Sequence, residues 1–366
     1  MFQAPVTLLF LISILSSDPV MFRGGPQLDG FSPKSLTLPL ALDWQFEAGG
    51  VLRGDPIVAN QTLFIGSETG SFFAVDLDKR SANWTFQAGS PIEASALVID
   101  GAVIFGSDEG FLFALDQATG KLLWKNQAED RILGAASWAK LKDGTRIIVV
   151  GSYDTFLYAF RMKDGKFLWK FESENYIHGT PTIAGNHVLF GGCDGFFRFL
   201  STEDGKLAKS IDLGHYMPAS AACDTTNVYF GHVGKGVAAL NLGSGETIWS
   251  FQAADDGFFS SPALSENSIF IGNRDDHLYA LAKKDGSLLW KFKARGAIDS
   301  SPTVFGTQVG FGSDDGRIYI LDKRTGKRQW SYDLGDRISS SLRVFNNRLF
   351  VSCEDGKVYT FKSNAP

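Results

Sequence analysis

Residues 103–126 read VIFGSDEGFLFALDQATGKLLWKN, and this stretch decides the fold. Two runs that alternate apolar and polar residues are broken by Gly-Ser-Asp-Glu-Gly and Gln-Ala-Thr-Gly, so it reads as short antiparallel strands joined by tight turns. Asp116 to Lys121, and again Asp322 to Lys327, supply Asp and Thr for turn hydrogen bonds and a Gly for positive φ. No helical period appears after residue 40.

Outward from this stretch the pattern repeats. Seven of the eight Trp residues stand at 44, 84, 124, 169, 249, 290 and 330, so their spacings are 40, 40, 45, 80, 41 and 40. The missing slot falls on Lys209, and Trp138 lies outside the series. A marker turn, Gly-Ser-x-Asp-Gly in its commonest form, follows at Gly66, Gly106, Gly151, Gly191, Gly231, Gly272, Gly312 and, with Ser in place of Gly, Ser352. The longer third unit is explained by an extended hairpin turn over 141–146. Eight units of about forty residues, each with four strands A to D and the Trp on D, predict an all-β, eight-bladed β-propeller. The final unit ends after its third strand, while Leu42 to Ala48 is an orphan Trp strand. The Trp44 strand is therefore expected to complete the last blade and close the ring. The expected organisation is a secretory signal over 1–17, a lead-in over 18–40, the propeller over 41–362 and a tail over 363–366.

The units FALDQATGKLLW, LYALAKKDGSLLW and IYILDKRTGKRQW resemble the quinoprotein, or PQQ-type, propeller repeat. The resemblance covers residues 42–362 and extends to the noncatalytic propellers of outer-membrane barrel assembly. It implies that Trp44, Trp84, Trp124, Trp169, Trp249, Trp290 and Trp330 pack between adjacent blades, with Lys209 and Ser352 as departures. It also implies protein partners for a noncatalytic member, or PQQ and calcium over the channel for a dehydrogenase. Enzymes of that kind carry long insertions and an adjacent Cys pair; this chain has neither, and only Glu93, Asp299 and Arg53 as loose candidates. The expectation is therefore a noncatalytic scaffold without cofactor, with a dehydrogenase or a glycan-binding propeller as alternatives.

Composition narrows the function classes. With 35 Lys plus Arg against 40 Asp plus Glu, the net charge of -5 gives no electrostatic reason for a nucleic-acid partner. Cys193, Cys223 and Cys353 form no C-x-x-C pair, and the five His residues show no zinc spacing, so no metal site is expected. The apolar run 6–15 would reach about 15 Å as a helix, half of a bilayer core of roughly 30 Å. It is too short for a transmembrane span but suits a secretory signal, so a periplasmic or secreted monomer is expected. No Cys near it would carry a lipid anchor.

Strand order assigns residues to faces. The B-to-C turns share one face with the D-to-A connections, and their Glu68, Asp108, Glu109, Asp154, Asp194, Asp275, Asp276, Asp314, Asp315, Glu354 and Asp355 predict an acidic ring. Aligning the D-to-A connections places one residue per blade at the channel mouth: Arg53, Glu93, Leu133, His178, Pro218, Phe259, Asp299 and Ser339. Asp299, Ser339, Arg53 and Glu93 form a polar half, and the other four a mostly apolar one. Arg131, Tyr176, Tyr216 and Arg337 precede the ring in four blades. This ring is the candidate site for a peptide or small ligand, because apolar walls with a few placed polar groups orient what they bind. Tyr176, Tyr216, Phe258 and Phe259 are the candidate aromatics for a glycan. His178 has no partner visible in the sequence and is expected to be structural.

Overall fold

The computed structural model describes residues 19–252 and 256–364. The expected signal segment therefore lies outside the described residues. Among these, no helix is long and apolar enough to cross a membrane.

Alternation of apolar and polar residues produces eight four-stranded antiparallel sheets, each formed by strands consecutive in the chain except the last. In blade 2 the strands are Leu97–Ile99, Ala102–Gly106, Phe111–Asp116 and Leu122–Gln127, from the channel outward. The middle strands B and C are buried on both faces, and strand D is half exposed. As expected, Leu40–Glu47 pairs with Lys357–Ser363, with Trp44 opposite Thr360, and completes blade 8. The first and last strands of the propeller are thus locked in one sheet, which removes an open joint between blades.

The Trp series seals the boundaries between blades. Each C-to-D pairing slips by one residue just before the Trp, a bulge that sets the indole against the next blade. In five of the seven its N–H donates to a carbonyl after strand C: Trp84 to Gln117, Trp124 to Met162, Trp169 to Thr202, Trp249 to Lys283 and Trp290 to Lys323, at 2.8–3.1 Å, whereas the buried Trp44 N–H has no such partner among the described residues. Trp330 donates to Leu40, the residue that begins the closing strand. The turn Gly of the following blade lies flat on the ring. A Cβ on Gly120, whose φ is +69°, would lie 2.6 Å from Trp84. Where the Trp is missing, the Lys209 ammonium donates to the Gly243 carbonyl, one residue beyond the position the indoles bond. Lys therefore replaces the polar function of the indole but not its area.

The lead-in is built into the ring. Each inner strand A presents an unpaired backbone edge to the channel, and the segment from Val20 to Ser32 bonds to those of blades 2, 4, 5, 6 and 7. Val20 bridges Val98; Pro26, Gln27, Asp29 and Gly30 accept the amides of Ile183, Cys223, Leu264 and Val304; Phe31–Ser32 adds a parallel fifth strand to blade 7. Met21 and Leu28 are fully buried, and Trp138, the Trp outside the repeat, packs against their cluster. Arg23 is buried too, its guanidinium donating to the carbonyls of Pro302 and Pro262. These contacts lie at the A-to-B end, so the lead-in closes the channel from that face and leaves the other open.

Candidate binding site at the channel mouth

The open end is a blind funnel of about 280 Å³ lined by Arg53, Glu93, Leu133, His178, Pro218, Phe259 and Ser339, with Phe22 of the lead-in also part of its lining. Seven of the eight expected mouth residues thus share one cavity. The eighth, Asp299, stands beside it, clamped by Arg274 at 2.9 Å and Arg337 at 2.8 Å.

The position of each residue follows from the repeat. The residue before each ring member is an apolar core residue, such as Ile92, Ile132, Ile177 and Met217, so the ring member itself turns toward the mouth. Phe258 occupies this core position in blade 6 and is fully buried, so it is no candidate for a glycan surface. Two residues beyond the ring, a second circle bonds blade to blade. The amides of Asp55, Ala135, Thr180, Ser220 and Ser261 donate to the hydroxyls of Ser95, Thr180, Ser220, Ser261 and Ser301 at 2.8–3.1 Å. Ser341 links the last blade to the first by donating its amide to the Asp55 carboxylate at 2.7 Å, so six of the eight blade boundaries carry such a bond among the described residues. Burial pushes the Asp55 carboxyl up to about 6.

The two halves of the mouth are built from different contacts. In the polar half, Arg53 lies 2.9 Å from both Glu68 and Glu93, Arg337 lies 2.7 Å from Asp314, and Ser339 donates to Glu354 at 2.9 Å. The carboxyls of Glu93, Asp108 and Asp314 are raised from their ordinary values, chiefly because they are partly desolvated. In the apolar half, the Tyr153 hydroxyl bonds Nδ1 of His178 at 2.7 Å, which supplies the partner that the sequence did not reveal. Tyr153 stacks on Tyr176 at 4.9 Å, and Arg131 lies over the Tyr153 ring. Arg274 stacks 3.4 Å over Phe259. Tyr176 and Tyr216 are exposed at the rim.

Glu68, Asp108, Tyr153, Arg274, Asp314 and Glu354 were not among the residues aligned at the mouth. All occupy the x position of the Gly-Ser-x-Asp-Gly turn, whose amide bonds a D-to-A carbonyl in every blade, for example Tyr153 to Arg131 and Glu354 to Arg337. The fixed offset of this x from the marker Gly is the signal that finds them. The following Asp has a further, structural role within the expected acidic ring. Asp154, Asp275, Asp315 and Asp355 accept the hydroxyls of Tyr158, Tyr279, Tyr319 and Tyr359, and Asp194 accepts Arg198. These turn acids therefore also hold strand C while they keep their charge.

Three comparisons place the chain among known proteins. A stretch of 69 residues is 39% identical to the outer membrane protein assembly factor BamB of Escherichia coli, and covers 16% of this chain and 18% of that protein. A stretch of 95 residues is 33% identical to a polyvinylalcohol dehydrogenase of a Pseudomonas species, and covers 21% of this chain and 15% of that enzyme. The matches thus span less than a fifth of either relative. The crystal structure of BamB from Moraxella catarrhalis superposes with a TM-score of 0.75 at 19% identity, over 88% of this chain and all of that one. The fold is a PQQ-type propeller similar to BamB. A family profile described as the β-propeller of the β-alanine-activating enzyme matches residues 51–363, and with the eight blades and the closing strand in place the chain belongs to that family.

Proposed function

We propose that this propeller is a noncatalytic scaffold of the cell envelope that holds a protein partner at the open funnel. The observation that carries this reading is the division of the mouth. Leu133, His178, Pro218 and Phe259 form an apolar wall with aromatic rims, opposite carboxylates that already have arginine partners. Such a surface buries apolar side chains and selects orientation by charge. The matched stretch of the outer membrane assembly factor supports protein partners and an envelope location.

A calcium-bound quinone fits these residues poorly. The Arg53 guanidinium stands 2.9 Å from both Glu68 and Glu93, in the place between the carboxylates that a cation would need. An anionic quinone would meet the carboxylates of Glu68, Glu93 and Asp108 around Arg53. The funnel is expected to act without catalysis and the chain to work as a monomer.

The test uses the whole chain as bait in extracts of its source cells, beside a variant carrying Leu133→Glu and Phe259→Glu. The expected result is one or more proteins recovered by the parent and depleted at least tenfold with the variant. Equal recovery by both would overturn the assignment to the funnel. Binding of PQQ and calcium to the parent, seen as a change in quinone absorbance, would favour the dehydrogenase alternative.

A further inference from the structure

A second cavity, of about 990 Å³, opens on the opposite face, between blades 4, 5 and 6 and the lead-in. It exists where the repeat departs from its rule. In blade 5, Trp249 lies 6.1 Å from Tyr229 and bonds the Lys283 carbonyl, which fills the boundary with an indole. One blade earlier the equivalent positions are Lys209, Leu189 and Leu242, and both Leu189 and Leu242 line the cavity. The Lys209 ammonium reaches the Gly243 carbonyl and passes 5.6 Å from the Phe199 ring, so its slender stem leaves Leu189, Phe199 and Leu242 as an apolar wall. Phe31, an exposed aromatic of the lead-in, faces them across the opening.

The charged residues of the lining decide what fits. Lys283 is committed to Asp224 at 2.7 Å, and Lys323 donates to the Gly306 carbonyl at 2.7 Å. Asp29 accepts the Phe31 amide, and neither it nor Glu266 has an ion-pair partner within 4 Å among the described residues. Burial raises the Asp29 carboxyl above its ordinary value, against the more distant pull of Arg23 and Lys283. The cavity thus combines apolar walls with two uncommitted carboxylates, a pairing that rewards a cation carried on an apolar body.

We propose that this cavity is a binding site for a small organic cation, whose apolar body lies against Leu189, Phe199 and Phe31 and whose amine faces Asp29 and Glu266. It is separate from the funnel and independent of any partner held there.

The test is calorimetric titration of the full chain with three phenylalkyl probes that differ in their polar head: phenethylamine, 2-phenylethanol and 3-phenylpropionate. The amine is expected to bind at least tenfold more tightly than the alcohol or the acid. Glu266→Gln, at an exposed position, and Asp29→Asn are each expected to weaken the amine severalfold while leaving the alcohol unchanged. Lys209→Trp, which restores the indole of the repeat, is expected to weaken both amine and alcohol tenfold. The proposal is overturned if none of the probes binds, if the acid binds as tightly as the amine, or if the amine is indifferent to Glu266→Gln and Lys209→Trp together.

Discussion

The turn glycines show how single atoms hold one blade to the next. Gly205 has a φ of +68°, and a Cβ there would lie 2.5 Å from the Trp169 ring. Gly245 has a φ of +79°, but its nearest neighbours, on Lys209 and Ile211, are 3.3 Å away. Gly245→Ala is therefore expected to cost only the left-handed backbone penalty, about 1 kcal/mol. Gly205→Ala adds a clash with a packed ring, for about 2–3 kcal/mol in all. Urea unfolding of the two variants checks the order. Asp55 supplies a second test. Its carboxyl titrates near 6 in the folded chain, above an ordinary 3.8, because burial disfavours the charge. The native state keeps a proton that the unfolded chain has lost, so this group removes stability as pH rises from about 4 to about 6. Arg23 and Arg343 face it and temper the shift. Asp55→Asn is expected to flatten the loss in that window, read as the melting temperature of parent and variant across pH. At this scale the Trp series was legible because one large residue recurs at a fixed period. The x residues of the marker turns were not singled out, because the acids among them read like their structural neighbours and Tyr153 and Arg274 share no residue type with them. Only the backbone bond from x to the D-to-A connection separates them.

At the scale of elements, the closing strand was legible by counting: three strands were left at one end and one Trp strand at the other. The path of the lead-in was not. Residues 19–36 carry neither a strand period nor a helix period, since their backbone partners are the inner edges of several different blades. Arg23 fastens this segment through two carbonyls deep in the channel. Arg23→Ala is expected to loosen the segment without opening the blades. Hydrogen exchange should then speed up at the amides of Ile183, Cys223, Leu264 and Val304, while those of the B and C strands keep their protection. Uniform acceleration throughout would mean that the segment is required for the ring itself.

The whole molecule presents two unlike faces to its surroundings. Rigid blades, tied by the Trp bonds and by the Ser and Thr circle, hold the funnel open on one side, and the lead-in blocks the other. The net charge of -5 hides this asymmetry, since Glu68 and Glu93 gather around Arg53 on the funnel face, where the Asp residues of the marker turns also stand. A photo-crosslinking residue at position 216, on the funnel rim, compared with one at position 324, on the opposite face, tests the central claim most directly. The account predicts discrete adducts from 216, lost when Phe259→Glu is added, and none of the same species from 324. The same adducts from both positions, or adducts from 216 that survive Phe259→Glu, would contradict it.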